Sequence, residues 1–170
     1  MIAPSHGVIW RSYIREIIEE YRRFADGVME DTALVIYDTM WHSTERIAKS
    51  IVEGFTRRNT NVILYDLKVN DLSDIITQVL TARYLVIGSP TLNNNVLPNV
   101  AALLSYLRGL QPNGKQGFAF GSYGWSGQSI GIINLALEEL GVEIIMEPIR
   151  INYIPTKEQL LDIENNVASL

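Results

Sequence analysis

The stretch ALVIYDTMWHST at residues 33–44 decides the fold. Its first five residues form an unbroken apolar run, which predicts a strand buried on both faces. Beyond the stretch, apolar residues recur with the spacing of one helical face, at Ile47, Ala48, Ile51, Val52 and Phe55. Ser43 or Thr44 is expected to cap this helix. Because a helix N-terminus offers unpaired N–H groups and partial positive charge, the hydroxyl-rich turn predicts a phosphate site.

Length and composition indicate one globular domain. The chain has 170 residues, of which 47% are hydrophobic, enough for a sizeable core. The net charge of −5 argues against a nucleic acid or an anionic membrane as partner, since both require a basic surface. No apolar run is long enough to cross a membrane, and no signal sequence is recognisable. Together with the absence of cysteine, this composition predicts a cytoplasmic protein.

From residue 32 onward, strand and helix patterns alternate. Strands are expected at 33–37, 61–67, 84–89, 117–121 and 142–146, with an irregular continuation of the last one to Tyr153. The helix after the second strand should point Ile75, Ile76, Val79 and Leu80 inward, and Thr156 with Gln159 predicts a capping box for the last helix. Five such units predict an α/β fold with a parallel sheet and helices on both faces.

Residues 1–31 are expected to form an N-terminal extension to a domain at 32–170. A helix at about 12–26 is predicted there, ended by Gly27 and followed by an acidic linker at 28–32. Its apolar face has a clear helical period, formed by Ile14, Ile17, Ile18, Tyr21 and Phe24.

The candidate site lies in three loops. In an open parallel sheet, ligands bind beyond the carboxyl ends of the strands, near the point where the strand order reverses. The loops that leave strands one, three and four at that edge contain residues 39–44, 90–95 and 122–127. The first suits a phosphate, and the aromatic residues Tyr123 and Trp125 suit a planar ring. A mononucleotide such as FMN combines both groups.

Three motifs in these loops resemble the flavodoxin-like domain of the flavodiiron proteins. They are YDTMWHSTE at 37–45, GSPTLNN at 88–94 and FGSYGWSG at 120–127. The resemblance covers residues 32–168 and implies a flavodoxin-like three-layer α/β/α sandwich. It also implies a five-stranded parallel sheet of order 2-1-3-4-5, non-covalent FMN and electron transfer.

The resemblance also assigns the residues around FMN. The phosphate loop is matched by Thr39, Met40, Trp41, Ser43 and Thr44. His42 lies in the same loop, either against the phosphate or pointing to solvent. One side of the isoalloxazine is matched by Pro90, Thr91, Leu92, Asn93 and Asn94, and the other by Ser122, Tyr123, Gly124, Trp125, Ser126 and Gly127.

The N-terminal run APSHGVIWR at 3–11 resembles the end of the metallo-β-lactamase-like domain that precedes the flavodoxin domain in that family. His6 occupies the position of an iron ligand there. The chain has only two histidines, His6 and His42, so no metal site is expected in it. The resemblance implies an electron donor such as rubredoxin or a reductase, and a di-iron domain or another acceptor. The apolar helix at 12–26 suggests an interface with a partner or a homodimer.

Two alternative functions stay open on the sequence alone. One is a free-standing NAD(P)H:quinone reductase-like flavoenzyme on the same fold. The other is an interaction module that has lost FMN and binds a partner through its N-terminal helix. Asp38 also raises the possibility of a phospho-acceptor receiver domain, but the end of strand three, where that fold needs its acceptor Asp, is Ser89-Pro90.

Overall fold

The computed structural model describes residues 1–170 as a sheet enclosed by helices. The elements in chain order are α1 (Ile14–Ala25), β1 (Glu30–Tyr37), α2 (Ser43–Arg57), β2 (Asn61–Asp66), α3 (Leu72–Val79), β3 (Ala82–Gly88), α4 (Pro98–Leu110), β4 (Gln116–Tyr123), α5 (Gln128–Glu139), β5 (Glu143–Ile144), β6 (Ile149–Asn152) and α6 (Lys157–Ala168). All strand pairs are parallel, in the order β2-β1-β3-β4-β5. The predicted fold class and strand order are confirmed.

The side chains of β1 show how the sheet separates two cores. Ala33, Val35 and Tyr37 pack on one face with apolar residues of α2 and α6. Leu34 and Ile36 pack on the other face with α3, α4 and α5. Successive side chains of a strand point to opposite faces, so a strand between two helical layers must be apolar at every position. The sheet is therefore the middle layer of three.

The fifth position of the sheet is filled by two short strands. β5 pairs with Gln116 and Gly117, whereas β6 pairs with the last four residues of β4, from Phe120 to Tyr123. Pro148 lies just before β6 and has no N–H group to donate to a ladder, which explains the interruption. Pairing with β6 extends β4 to Tyr123, two residues beyond the predicted end at 121.

Two local predictions about packing differ from the structure. Leu80, expected to point inward from α3, lies just after that helix and is 51% exposed, while Ile75 and Val79 are buried. The linker predicted at 28–32 is shorter, because β1 already begins at Glu30, whose N–H donates to Thr81 at 2.8 Å. The capping box between Thr156 and Gln159 is present as predicted.

The segment 1–29 packs little against the rest of the chain. Ile2 and Trp10 form an isolated antiparallel bridge, and α1 contains no buried residue. Gly27, in the left-handed region at φ +64°, follows the end of α1. None of the helices is both long and apolar enough to cross a lipid bilayer.

Candidate functional site

A cavity of about 370 Å³ opens at the carboxyl edge of the sheet. Three connections meet there: the β1–α2 loop, the β3–α4 loop and the end of β4 with its following loop. We call it the main cavity. Of the predicted residues, it is lined by Thr39, Met40, Trp41, Ser43, Pro90, Thr91, Ser122, Tyr123 and Gly124. The three separate motifs therefore converge on one volume, which is large enough for a cofactor-sized ligand.

The β1–α2 loop presents unpaired backbone donors beside this cavity. The backbone N–H groups of residues 40–45 donate no hydrogen bond within the chain. They combine the free end of helix α2 with the turn before it, where the helix dipole adds partial positive charge. An anion is the ligand that such a set of donors binds best.

The predicted cap of α2 is wrong. The N-cap position is occupied by His42 in the left-handed region at φ +63°, with no side-chain capping bond, and Ser43 is the first helical residue. Thr44 is fully buried, and its hydroxyl lies 3.0 Å from the hydroxyl of Ser122. Because no side chain caps the helix, its first N–H groups stay free for a ligand.

Hydroxyl contacts hold the three connections together. The Thr44–Ser122 contact joins the start of α2 to the end of β4. Thr91 Oγ1 lies 2.8 Å from Ser129 Oγ, and Ser129 donates to the Ser89 carbonyl at 3.1 Å. These contacts tie the β3–α4 loop to the start of α5. These contacts therefore fix the walls of the main cavity: Thr91 and Ser122 line it, whereas their partners Ser129 and Thr44 do not.

A second, polar cavity of about 330 Å³ lies beside the first. It is lined by Thr91, Asn93, Asn94, Gly124, Trp125 and Ser126. Trp125 and Trp41 are 91% and 85% exposed, so both indoles stand at the rim with one or both faces free. Leu92, Gly127 and His42 line neither cavity.

His42 instead faces the first turn of α2. Its Nδ1 lies 2.6 Å from Glu45 Oε2, and its side chain is 78% exposed. Lys49 also donates to Glu45, and these two hydrogen bonds, that of Lys49 first, lower the pKa of Glu45. The carboxylate nearest the start of α2 is thus paired with Lys49 and in hydrogen-bond contact with His42.

Tyr153 and Ile154 also line the main cavity, although neither is among the predicted site residues. They directly follow β6, so they stand at the same edge as the other loops. The Tyr153 N–H donates to the Tyr123 carbonyl at 2.8 Å, and its backbone lies in the left-handed region at φ +61°. Ligands bind beyond the carboxyl ends of parallel strands, and this holds for the residues after the fifth strand as well. Tyr153 and Ile154 could therefore have been predicted from the sequence on the same grounds as the other three loops.

His6 lies in the exposed segment before α1. No group of three or more His, Cys, Asp or Glu side chains in the structure is arranged to hold a metal ion.

The flavodoxin family profile matches residues 35–165 of this chain. A nitric oxide reductase of Moorella thermoacetica is 44% identical over 160 residues, which is 94% of this chain and 40% of that protein. A rubredoxin-oxygen oxidoreductase of Megalodesulfovibrio gigas is 36% identical over 172 residues, or 98% of this chain and 43% of that protein. This chain spans about two-fifths of the length of these curated relatives.

The structural similarity extends over the same region. The flavodiiron protein from Giardia intestinalis superimposes with a TM-score of 0.89 at 29% identity, covering 96% of this chain and 41% of that one.

Proposed function

Because the chain belongs to the flavodoxin family, an FMN-binding family, we propose that its main cavity holds FMN and that the protein transfers electrons through it. The observation that carries this proposal is the main cavity itself. Its apolar and aromatic lining adjoins the unpartnered N–H groups of residues 40–45. A planar ring and a phosphate are the two chemical groups that these surfaces suit.

The residues fit the two ends of FMN separately. We assign the phosphate to the N–H groups of the β1–α2 loop and to the hydroxyls of Thr39 and Ser43, which line the main cavity. We assign the ring to the walls formed by Pro90, Tyr123 and Tyr153, with Trp41 and Trp125 at the rim. Thr44 acts indirectly, since its hydroxyl is used by Ser122.

Bound flavin supplies the redox chemistry, and the protein supplies position and electrostatics. The N–H groups at the start of α2 neutralise part of the phosphate charge, and the hydroxyl contacts between the loops keep the cavity walls in place. The apolar walls keep water away from one part of the ring. No side chain of this chain is needed to form or break a covalent bond in this role.

The names of the relatives support a more specific role. One is named a rubredoxin-oxygen oxidoreductase and one a nitric oxide reductase. We propose that this domain accepts electrons from rubredoxin or a reductase and passes them to a di-iron centre outside these 170 residues. We further propose that segment 1–29 contacts the protein that carries this acceptor, or a second copy of this chain, because α1 leaves its apolar face unburied.

The first test is an absorbance spectrum of the purified protein, followed by reconstitution with FMN and with riboflavin. We expect a flavin spectrum with one FMN per chain, and reduction of that flavin by reduced rubredoxin. A protein that stays colourless after reconstitution contradicts the proposal and favours the interaction module. Rapid bleaching by NAD(P)H alone would move the function to the quinone reductase class.

The substitution Ser43→Ala tests the phosphate position. A hydrogen bond to a charged group contributes about 1.5–3 kcal/mol, so FMN affinity should fall about 10- to 150-fold. Riboflavin has no phosphate, and its affinity should stay unchanged. Ser105→Ala, an exposed serine of α4, is the matched control and should alter neither affinity. Equal losses for both flavins would show that the phosphate lies elsewhere.

A further inference from the structure

A buried carboxylate stands directly before the β1–α2 loop. Asp38 follows the last residue of β1 and is 3% exposed. Its Oδ1 accepts the N–H of Thr39 at 2.7 Å, and its Oδ2 accepts Asn99 Nδ2 at 3.0 Å. Asn99 is the second residue of α4, so the carboxylate also faces the positive end of that helix. One side chain therefore joins the β1–α2 loop to the first turn of α4.

A lysine holds the other backbone polar group of Thr39, its carbonyl. The Nζ of Lys68 donates to the carbonyl of Thr39 and lies 3.9 Å from Asp38 Oδ1. Lys68 itself stands on a fixed turn after β2, because its N–H donates to Asp66 Oδ1 at 2.9 Å. The N–H of Leu67 likewise donates to the Tyr37 carbonyl at 2.9 Å.

Both backbone polar groups of Thr39 are thus held by side chains. The carbonyl of Thr39 and the N–H of Met40 belong to one planar peptide group and point in opposite directions. When Lys68 holds the carbonyl, the next N–H must point away from Lys68. Met40 is also the first of the run of residues, 40–45, whose N–H groups have no partner.

We propose that Asp38, Lys68 and Asn99 form a clamp that orients the peptide between Thr39 and Met40, and with it the N–H groups that bind the FMN phosphate. They are positioning residues, and the inference rests on the proposed function of the main cavity. Stability alone is a poor explanation for this buried carboxylate and its partners, because replacing a buried ion pair by apolar residues is often neutral or stabilising. An orienting role gives a reason for this polar set.

The direction in which FMN affinity changes in one variant separates an orienting role of Asp38 from a purely electrostatic one. Removing a negative charge near a bound phosphate should tighten FMN binding if only the Coulomb repulsion between carboxylate and phosphate mattered. If the clamp orients the loop, Asp38→Asn should instead weaken FMN binding about 10-fold and leave riboflavin binding unchanged. Asp74→Asn, an exposed carboxylate of α3, is the control and should change neither affinity.

Lys68→Met and Asn99→Ala extend the test. Each should lower FMN affinity about 10-fold, and the double variant Asp38→Asn/Lys68→Met should lose little more than one single variant, because groups that act as a unit are not additive. Lys49→Met removes an exposed charge from α2 and should have a smaller effect that disappears in high salt. Asn99 is exposed, so its variant keeps the test valid if Asp38→Asn does not fold.

The outcomes distinguish the two proposals. A wild-type protein that binds no FMN contradicts the proposed function. A wild-type protein that binds FMN, with Asp38→Asn and Asn99→Ala binding it as tightly or more tightly, overturns the clamp alone. An FMN-specific loss that persists at high ionic strength in all three single variants supports it.

Discussion

Helices α1 and α2 carry similar apolar stripes but differ completely in burial. In α2 the stripe is covered by the sheet and by α6, and Ile47, Ile51 and Phe55 are fully buried. In α1 no residue is buried, and Tyr21 is 69% exposed. The periodicity of a sequence shows which face of a helix prefers burial. It does not show whether the covering surface belongs to the same chain.

The largest expected effect tests the covered stripe. Phe55 packs against the ring of Tyr84 at a centroid distance of 5.3 Å and lies in the core between α2 and α6. Phe55→Ala should lower the free energy of unfolding by about 3–5 kcal/mol, because it removes apolar contacts and leaves a cavity. Urea unfolding followed by circular dichroism measures this change. A loss below about 1 kcal/mol would mean that α2 is not anchored as described.

A second effect concerns a buried lysine just before β4. Lys115 is 4% exposed and donates to the carbonyls of Leu80 and Ala82 at 3.1 and 2.6 Å. Burial lowers the pKa of Lys115 to about 8 from its usual 10.5. Between these pH values the unfolded chain holds the proton that the folded chain has lost. The free energy of unfolding should therefore rise with pH from about 8 to 10.5, by at most about 3 kcal/mol.

The measurement is urea unfolding across this pH range in the wild type and in Lys115→Met, which should lack the rise. Lys157→Met, an exposed lysine at the start of α6, is the matched control and should keep it. Burial, and next the nearby Asp66 carboxylate, raises the pKa of Tyr37 to about 12. The Tyr37 phenol contributes fully to stability below pH 10 and loses its contribution as the pH rises to 12. The free energies of unfolding of the three proteins are therefore compared below pH 10. Parallel curves for all three proteins would contradict a buried cationic Lys115.

The smallest expected effect concerns the uncovered stripe. Tyr21→Ala in α1 is the counterpart of Phe55→Ala and should change the free energy of unfolding by less than about 0.5 kcal/mol, because the side chain is already 69% exposed. A loss above about 2 kcal/mol would break the comparison. If that loss grew with protein concentration, a second copy of the chain would be the covering surface.

The apolar runs and periodicities predicted most of the fold. The continuous apolar β1, the stripe of α2 and the capping box at Thr156 and Gln159 are all local signals, and each is present. The misplaced details, Leu80 and the cap of α2, depend on what surrounds a residue in space. The hydroxyl of Thr44 contacts the hydroxyl of Ser122, which is distant in sequence, instead of capping α2.

Some features of the candidate site could likewise be predicted from local sequence, whereas others depend on the tertiary structure. The sequence by itself determined that three loops of hydroxyl, amide and aromatic residues follow buried strands, since strand and loop patterns are written in neighbouring residues. Only the tertiary structure decided which of these side chains face one cavity and that Tyr153 joins them. It also brought Lys68 and Asn99 to the peptide that follows Asp38. The reason is physical: parallel strands align at one edge residues that lie far apart along the chain.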